Sequence, residues 1–270
     1  MITAADFADE LGQIPLVRSV LRWYARRYEE GSVVRIARGH AAGMKWRRHH
    51  RYVNGYWTGI YELDLQRAIA RELGTGNIFY DVGANAGFFT VLAAKLVGSS
   101  GRVFSFEPLA ENAESIREQI DINSLNQCEL ILKAVSDRSG TATFVPAEHN
   151  ALGHLSSPDG QSNSAGEELS VQTVTLDEFA LSNPFPNVIK IDVEGAETEV
   201  LAGAHTLLSS PRAPKLIVEL HGEEKARSVE AVLVSFGYRL TDLAGIPLAD
   251  GPGIERHVIG HPPVAQHRLS

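Results

Sequence analysis

The sequence has few cysteines and no long apolar run. Its 270 residues include one cysteine, Cys128, so no disulfide can form within the chain and a reducing compartment is expected. No segment reaches the roughly eighteen consecutive apolar residues of a membrane span. Residues 1–12 contain three acidic residues and no apolar core, unlike a secretory signal. We therefore predict a cytoplasmic protein without a membrane span.

Positive charge is scarce overall and concentrated at the front of the chain. The whole sequence has a net charge of −8, whereas residues 1–60 hold ten Lys/Arg against five Asp/Glu, a net charge of +5. The most basic run, K-W-R-R-H-H-R at 45–51, would suit an anionic partner such as nucleic acid. A solvated helix face is the commoner origin of such a run, so a nucleic-acid partner is not favoured.

The remaining composition is that of an ordinary globular protein, with 44% hydrophobic and 21% charged residues. The length suits one large α/β domain with an extension. We predict an N-terminal extension at 1–60 with an amphipathic helix at 15–28, a main domain at 61–262, and a disordered tail at 263–270. The pattern predicts no oligomeric state.

A strand, a glycine turn and a helix follow one another from residue 77 onward. The apolar run at 78–80 is typical of a buried parallel strand, and helical composition begins at 88. Between them the turn reads D-x-G-x-N-x-G, from Asp81 to Gly87, where a dinucleotide site would read G-x-G-x-x-G. An acidic residue at the head of the turn suits a ligand that carries a cation better than one that carries a phosphate.

A second strand at 103–106 ends at a carboxylate, Glu107, about twenty residues after the turn. A carboxylate in this position can accept hydrogen bonds from both hydroxyls of a ribose. A glycine turn alone is often structural, but the turn and Glu107 together indicate a nucleoside site.

Five motifs resemble those of the FkbM-type methyltransferases, a family within the class I methyltransferases that use S-adenosylmethionine. They are D-V-G-A-N-A-G-F-F-T at 81–90, F-S-F-E-P at 104–108, A-V-S-D at 134–137, K-I-D-V-E-G-A-E at 190–197 and V-E-L-H at 218–221. The resemblance covers roughly residues 31–240. It implies a Rossmann-like, doubly wound, seven-stranded sheet, and a segment that covers the cofactor at 39–43 and 59–62.

The turn, the strand ends and the resemblance together give a set of predicted S-adenosylmethionine-binding residues. They are Glu62, Asp81, Gly83, Asn85, Gly87, Thr90, Glu107, Pro108, Ser136, Asp137 and Asp192. The position of Asp137 after a third strand favours a contact with the adenine, but an aspartate in S-D-R-S-G is also typical of a plain turn.

Acidic residues and a histidine follow the fourth and fifth predicted strands. Asp192, Glu194 and Glu197 come after the strand at 188–191, and Glu219 and His221 end the strand at 215–220. The carboxyl ends of parallel strands meet at one edge of a sheet, so these side chains are expected to face the cofactor cleft.

The candidate catalytic residues are Asp192, Glu194 and His221, since a hydroxyl acceptor must lose its proton. Two alternatives stay open: a divalent cation held by Asp192 and Glu219, which the spacing does not require, or positioning without a base. His221 could also be a strand-end histidine bonded to a backbone carbonyl. Glu194 and Glu197 could be loop and helix anchors.

The resemblance implies O-methylation of a small sugar or secondary metabolite that offers a hydroxyl group. One alternative is a methyltransferase that acts on a nucleic acid or another macromolecule through the basic front. Another is a dinucleotide-binding oxidoreductase or a non-catalytic binding module. In methyltransferases that act on nucleobase amines, an Asn-Pro turn follows the fourth strand. Here the Asn-Pro-Phe at 183–185 precedes that strand, which disfavours methylation of nucleobase amines.

The remaining elements are predicted from periodicity and turn residues. We expect a polar lid loop at 146–166. The predicted helices are 61–73, 109–122, 176–181, 197–208 and 228–236, and the further strands are 32–37, 129–135, 141–145, 170–175, 238–243 and 257–259.

Overall fold

The computed structural model describes residues 28–52, 54–146, 153–155, 169–248 and 257–263. The helix predicted at 15–28, the tail after residue 263 and most of the loop predicted at 146–166 lie outside these residues. Among the residues described, no helix has the length and apolar character needed to cross a bilayer.

The strands of the described residues fall into one large and two small sheets. In chain order they are β1 (Val33–Arg35), β2 (Lys45–Arg47), β3 (Ile78–Val82), β4 (Arg102–Phe106), β5 (Cys128–Ile131), β6 (Ala134–Val135), β7 (Gly140–Pro146), β8 (Gly153–Leu155), β9 (Leu169–Val174), β10 (Val188–Ile191), β11 (Lys215–Glu219), β12 (Arg239–Thr241) and β13 (His257–His261). The helices are α1 (Leu63–Glu72), α2 (Phe88–Val97), α3 (Ala110–Asn123), α4 (Leu176–Ala180), α5 (Glu197–Ala202), α6 (His205–Ser209) and α7 (Glu223–Ser235), with a short 3-10 helix at Tyr56–Thr58.

The large sheet has seven strands in the order β12-β13-β11-β10-β3-β4-β5. The five strands from β11 to β5 are parallel, and β13 runs antiparallel between β11 and β12. Strand order reverses between β3 and β10, which is the switch point where doubly wound sheets bind ligands. The predicted Rossmann-like, seven-stranded sheet is confirmed.

Both faces of this sheet are buried because the side chains of each strand alternate between two cores. Phe79 and Val103 pack on one face with α1 and α2, while Tyr80 and Phe104 pack on the other with α5, α6 and α7. Continuous apolar strands are expected where helices cover both faces of a parallel sheet. The apolar runs at 78–80 and 188–191 therefore became buried strands as predicted.

The strand predicted at 129–135 is in fact two strands in two different sheets. The chain turns at Leu132 and Lys133, where the N–H of Lys133 donates to the carbonyl of Ile131. β5 therefore ends the large sheet, and β6 pairs instead with β9 in a four-stranded sheet ordered β6-β9-β7-β8. β8 lies inside the stretch predicted as a loop at 146–166, so that stretch is not wholly irregular.

The helix predicted at 197–208 is also divided, into α5 and α6. Gly203 separates them, and a Cβ at this position would lie 2.1 Å from the carbonyl oxygen of Ser136. The carboxylate of Asp177 accepts hydrogen bonds from the N–H groups of Thr206 and Leu207 and so begins the second helix. The side chain of Thr175 caps α4 by accepting a hydrogen bond from Glu178 N.

The segment before α1 packs against the first turn of α2. Tyr56 stacks on Phe88 with ring centroids 5.5 Å apart, and Trp46 is buried beside both. The buried amide of Gln66 accepts from His40 N and donates to the carbonyl of Gly59, which fastens this segment to α1. The segment that the resemblance places over the cofactor is thus held next to the glycine turn.

The basic run at 45–51 is engaged within the molecule. Its first residues form β2, which the sequence did not predict. His49 Nε2 lies 2.6 Å from a carboxylate oxygen of Glu118 on α3, and Arg47 lies 3.7 Å from the other. Arg51 donates to the carbonyl of Glu111. These contacts tie the run to α3, as expected for a structural role.

Candidate functional site

The carboxyl ends of the central strands bring most of the predicted site residues to one edge of the sheet. In the register of the sheet, Ile191 pairs with both Val82 and Val218, so the residues that follow β3, β10 and β11 leave the sheet at the same level. On β13, His257 pairs with Glu219 because this strand runs in the opposite direction. The C-terminal strand therefore adds a histidine to the same edge.

The glycine turn approaches the chain after β10 more closely than a side chain would permit. Gly83 has a φ of 75°, and a Cβ there would lie 1.8 Å from the carbonyl oxygen of Asp192. The N–H groups of Gly83 and Ala84 both donate to the carbonyl of Phe106. Asn85 also has a positive φ, of 49°, which few residues other than glycine and asparagine adopt. The turn is thus built for close backbone packing.

Glu107 is buried at the end of β4, and its carboxylate is held by three N–H donors. Oε2 accepts from Asn85 N at 2.9 Å, while Oε1 accepts from Leu109 N at 3.0 Å and from Asn112 Nδ2 at 3.3 Å. Burial raises the pKa of Glu107 to about 7, against the lowering effect of these hydrogen bonds. Each oxygen keeps acceptor capacity for a hydroxyl donor.

A buried lysine joins the glycine turn to the acids that follow β10. Lys190 Nζ donates to the carbonyl of Gly83 at 2.9 Å and lies 3.4 Å from Asp81 and 3.3 Å from Asp192. Burial opposes the charge, but Asp192 and Asp81 outweigh it and hold the pKa of Lys190 above its ordinary value. Thr90 completes this network by donating to Asp81.

The cleft above these groups has an empty volume of about 620 Å³, part of which is open to solvent. Five of the predicted cofactor residues line it: Gly83, Asn85, Glu107, Pro108 and Asp192. The predicted catalytic residue Glu194 lines it as well.

The other predicted cofactor residues lie elsewhere. Asp81 and Thr90 are fully buried beneath the turn, and Gly87 begins α2. Ser136 and Asp137 follow β6 in the four-stranded sheet, where Asp137 pairs with Arg138 at 3.4 Å. Ala134 and Val135 are the residues of that segment that line the cleft. A direct contact of these five predicted residues with a cofactor stays a prediction.

His221 lies among three carboxylates on the other side of Asp192. Its Nδ1 is 2.8 Å from Glu197 Oε1, and its Nε2 is 3.2 Å from Glu194 and 3.6 Å from Glu219. Hydrogen bonds with Glu194 and Glu197 raise the pKa of His221 to about 10, although burial acts in the opposite direction. The imidazole is therefore protonated in neutral solution.

Glu197 is the anchor of this arrangement. It is fully buried at the start of α5, and its Oε1 also accepts from Gly195 N at 2.8 Å. Glu197 thus fixes both the turn after β10 and the ring of His221. This corresponds to the anchor alternative that the sequence left open for Glu197, while its neighbour Glu194 faces the cleft.

Negative charge accumulates on the side of the cleft where Asp192 lies. Burial raises the pKa of Asp192 to about 6, with Lys190 acting against it and Glu219, Glu194 and Glu62 adding to the rise. Glu62 belongs to this group because one ligand atom each of Glu62, Glu219 and His257 lie within 4.8 Å of one another. Asp192, Glu219 and His221 form a second group of this kind. Asp192, Glu194, Glu197, Glu219 and His221 are together called the acid–histidine cluster below.

Sequence reasoning missed two residues of the site, Lys190 and His257. A lysine inside the apolar strand V-I-K-I was a usable signal, because a buried lysine needs charged partners. His257 gave no comparable signal. Its position opposite Glu219 depends on the antiparallel register of β13, which the sequence does not specify.

Comparison with known proteins matches a family profile and named methyltransferases. The profile of the methyltransferase FkbM domain matches residues 81–240. The hexuronic acid methyltransferase AglP of Haloferax volcanii is 30% identical over 175 residues, which cover 64% of this chain and 67% of that protein. The 31-O-demethyl-FK506 methyltransferase FkbM of Streptomyces tacrolimicus is 29% identical over 206 residues, with 64% of this chain and 76% of that protein covered.

Solved structures give more distant matches. The methyltransferase FkbM from Methylobacillus flagellatus is 14% identical, with 92% of this chain and 60% of that chain covered and a TM-score of 0.46.

Proposed function

Because the chain belongs to the FkbM methyltransferase family, whose members depend on S-adenosylmethionine, we propose that it transfers a methyl group to a hydroxyl of a small sugar or secondary metabolite. The observation that carries this proposal is the continuity of the cleft. Glu107 lines the same cleft as Asp192 and Glu194, two members of the acid–histidine cluster. The part at Glu107 is called the Glu107 end, and the part at Asp192 and Glu194 is the other end.

The residues at the Glu107 end fit a nucleoside. The carboxylate of Glu107 is oriented by N–H donors and has lone pairs left for the two ribose hydroxyls. Because burial raises its pKa, the carboxylate would be stabilised by further hydrogen-bond donors such as these hydroxyls. Pro108, Leu109 and Ala134 offer apolar surface in the same cleft. We propose that Gly83, Asn85 and Glu107 hold the adenosine part of the cofactor.

The residues at the other end fit a positive charge. S-adenosylmethionine supplies a methyl group activated by a sulfonium cation. Asp192, Glu194 and Glu219 give this end a net negative charge that Lys190 neutralises only in part. We propose that Asp192 lies nearest the sulfonium, since it leads directly from β10 into the cleft.

For the acceptor, we propose that the His221–Glu194 pair takes up the hydroxyl proton. His221 already carries a proton in neutral solution, so the carboxylate of Glu194, 3.2 Å from Nε2, is the oxygen that can receive one. His221 then acts by holding Glu194 in place and by limiting its charge. Glu197 positions the imidazole through Nδ1.

The relatives support a small hydroxylated substrate. Their names state a hexuronic acid in one case and 31-O-demethyl-FK506 in the other, and the second specifies an oxygen as the methylated atom. The alternative, a macromolecular substrate bound by the basic front, has less support because Arg47, His49 and Arg51 are engaged with α3.

The test is a turnover assay with methyl-tritiated S-adenosylmethionine and two panels of acceptors, one of sugars, sugar acids and polyketide alcohols, the other of RNA and protein. We expect label in a member of the first panel, and the labelled methyl group should show the chemical behaviour of a methyl ether. Glu194→Gln should lower turnover about 10²–10⁴-fold, the usual contribution of general acid–base catalysis. His221→Gln should lower turnover by a smaller factor, because the accepting carboxylate of Glu194 remains. His205→Gln, an exposed histidine on α6, is the control and should keep full activity. Label that enters only RNA or protein, or full activity in Glu194→Gln or in His221→Gln, would contradict the proposal.

A further inference from the structure

We propose that Glu62, Glu219 and His257 bind one divalent metal ion of the first transition row beside the methyl-transfer site. The three residues come from three separate parts of the chain. Glu62 precedes α1, Glu219 ends β11, and His257 begins β13 directly opposite Glu219 in the sheet. One ligand atom from each lies within 4.8 Å of the others.

His257 is the observation that points to a ligand. The residue is 8% exposed, and its Nε2 makes no hydrogen bond with any other residue that the structure describes. This nitrogen is directed at Glu219 Oε2, at a distance of 3.4 Å. A buried polar atom without a hydrogen bond costs about 1–3 kcal/mol, so such atoms usually serve a function. An imidazole nitrogen without a hydrogen bond, beside carboxylate oxygens, offers donor atoms that a divalent metal ion can bind.

The backbone of Glu62 is held in an unusual conformation. Its φ is 44°, in the left-handed region that glutamate rarely adopts. Strain of this kind persists where the surrounding structure holds a side chain in a functional position. A carboxylate oxygen of Glu62 lies within 4.8 Å of the ligand atoms of Glu219 and His257.

The other group of three potential ligands, Asp192, Glu219 and His221, is a poorer metal site. A metal ligand must offer a deprotonated nitrogen. Both ring nitrogens of His221 already face carboxylates, with Nδ1 2.8 Å from Glu197 and Nε2 3.2 Å from Glu194, so an ion would have to displace these contacts. His257 Nε2, in contrast, makes no hydrogen bond with any of the described residues. The ion is therefore assigned to His257 and not to His221.

The charge around the proposed site is negative. Asp192 adds a further carboxylate, since one of its oxygens lies within 4.8 Å of a carboxylate oxygen of Glu219. A metal ion bound to the carboxylates of Glu62 and Glu219 would remove the electrostatic repulsion between them. Since ligands at about 2.1 Å from one ion stand about 3–4 Å apart, small side-chain rotations suffice to close the site.

The donor set selects the kind of ion. Two carboxylates and one imidazole suit Mn²⁺ or Zn²⁺ better than Ca²⁺ or Mg²⁺, which prefer oxygen ligands alone. Three protein ligands leave coordination positions open. This part of the inference rests on the proposed function: an acceptor hydroxyl in an open position would have its pKa lowered by the ion, and would deliver its proton to Glu194.

The test is to remove metals from the full chain with a chelator and then to measure Mn²⁺ binding. The electron paramagnetic resonance signal of free Mn²⁺ reports how much of the ion stays unbound. We expect one ion per chain in the wild type. His257→Ala and Glu62→Gln should each weaken binding at least about tenfold. His261→Ala, on the same strand but at its other end, is the matched control and should bind as the wild type does. If His257→Ala fails to fold by circular dichroism, His257→Gln keeps most of the side-chain volume and replaces it.

Absence of Mn²⁺ and Zn²⁺ binding by the wild type, or unchanged binding in the folded His257 variant, would overturn the proposal. Loss of binding in His221→Gln with retention in His257→Ala would place the ion in the other group and would also overturn it. Calorimetry with S-adenosylmethionine on the same samples separates the two proposals. Wild-type protein that binds the cofactor but no metal refutes the metal site alone, and the reverse result refutes the proposed function alone.

Discussion

The two ends of the cleft are built in different ways. The Glu107 end consists of one turn of consecutive residues and one strand end, and most of its hydrogen bonds involve backbone N–H groups. The acid–histidine cluster, with Glu62 and His257 beside it, gathers side chains from elements spread between α1 and β13. The comparison teaches that a common cofactor can be held by local backbone geometry, whereas the chemistry beside the acceptor depends on long-range assembly.

Lys190 joins the two ends, and its removal should have the largest effect. Lys190→Met leaves Asp81 and Asp192 without their cation in a buried setting, which typically costs about 3–5 kcal/mol of unfolding free energy. Urea unfolding measures the loss. Lys45→Met, an exposed lysine on β2, should change stability by less than about 0.5 kcal/mol. A loss of less than about 1 kcal/mol in Lys190→Met would mean that the two aspartates are not charged together in the folded state.

Gly83→Ala tests the close approach of the glycine turn to the chain after β10. The added Cβ would meet the carbonyl of Asp192 at 1.8 Å, and the positive φ adds strain, so we expect a loss of about 2–5 kcal/mol from overpacking and backbone strain together. Gly195→Ala is the matched control, since its φ of 105° is also positive but no atom lies within 4 Å of the new Cβ. Equal losses in the two variants would show that strain, not the close approach, accounts for the effect.

Glu107 should give the protein a stability that declines toward neutral pH. Its folded pKa, about 7, is above the ordinary value of 4.5, so the folded state binds the proton more tightly than the unfolded state. The resulting stability is present below pH 4.5 and is lost as pH rises through 7, by up to about 3 kcal/mol. Unfolding free energies at pH 5 and pH 8 for the wild type and Glu107→Gln measure it. The unfolding free energy of the variant relative to the wild type should be higher at pH 8 than at pH 5. The same difference in unfolding free energy at both pH values would contradict the raised pKa.

His221 should act in a higher pH window, with an effect smaller than its pKa shift alone would give because its side chain is 24% exposed to solvent. Its folded pKa of about 10 is above its ordinary value of 6.5, so its contribution is fully present below pH 6.5 and is lost as pH rises through 10. We expect the stability advantage of the wild type over His221→Gln to shrink between pH 7 and pH 10. An advantage that is the same at both values would mean that His221 is neutral in the folded protein.

The same contrast explains how much the sequence could predict. The strand, turn and helix at 78–97 were correct because three adjacent segments each carried their own signal, and Glu107 was placed correctly because it ends a short apolar strand. The division of 129–135 was missed because the break at Leu132 and Lys133 is decided by pairing of β6 with a distant strand. Local composition is the same on both sides of it.

Asp192, Glu194 and His221 were correctly predicted to follow strands that end at the same edge of the sheet, since parallel strands end together. The predictions did not include the protonation of His221, because that depends on Glu194 and Glu197 folding back over the ring. His257 could not be assigned at all, since it reaches the site through a strand that enters the sheet from the opposite direction.

The central claim is that the Glu107 end recognises the nucleoside and the acid–histidine cluster recognises the positive charge. Calorimetry with S-adenosylmethionine and its uncharged product S-adenosylhomocysteine tests this most directly, on the wild type, Glu107→Gln and Asp192→Asn. Glu107→Gln should weaken both ligands equally, by about 5- to 150-fold, as expected when a hydrogen bond to a charged group is lost at about 1–3 kcal/mol. Asp192→Asn should weaken S-adenosylmethionine by a similar factor and leave S-adenosylhomocysteine unchanged. Equal weakening of both ligands by Asp192→Asn would contradict the account.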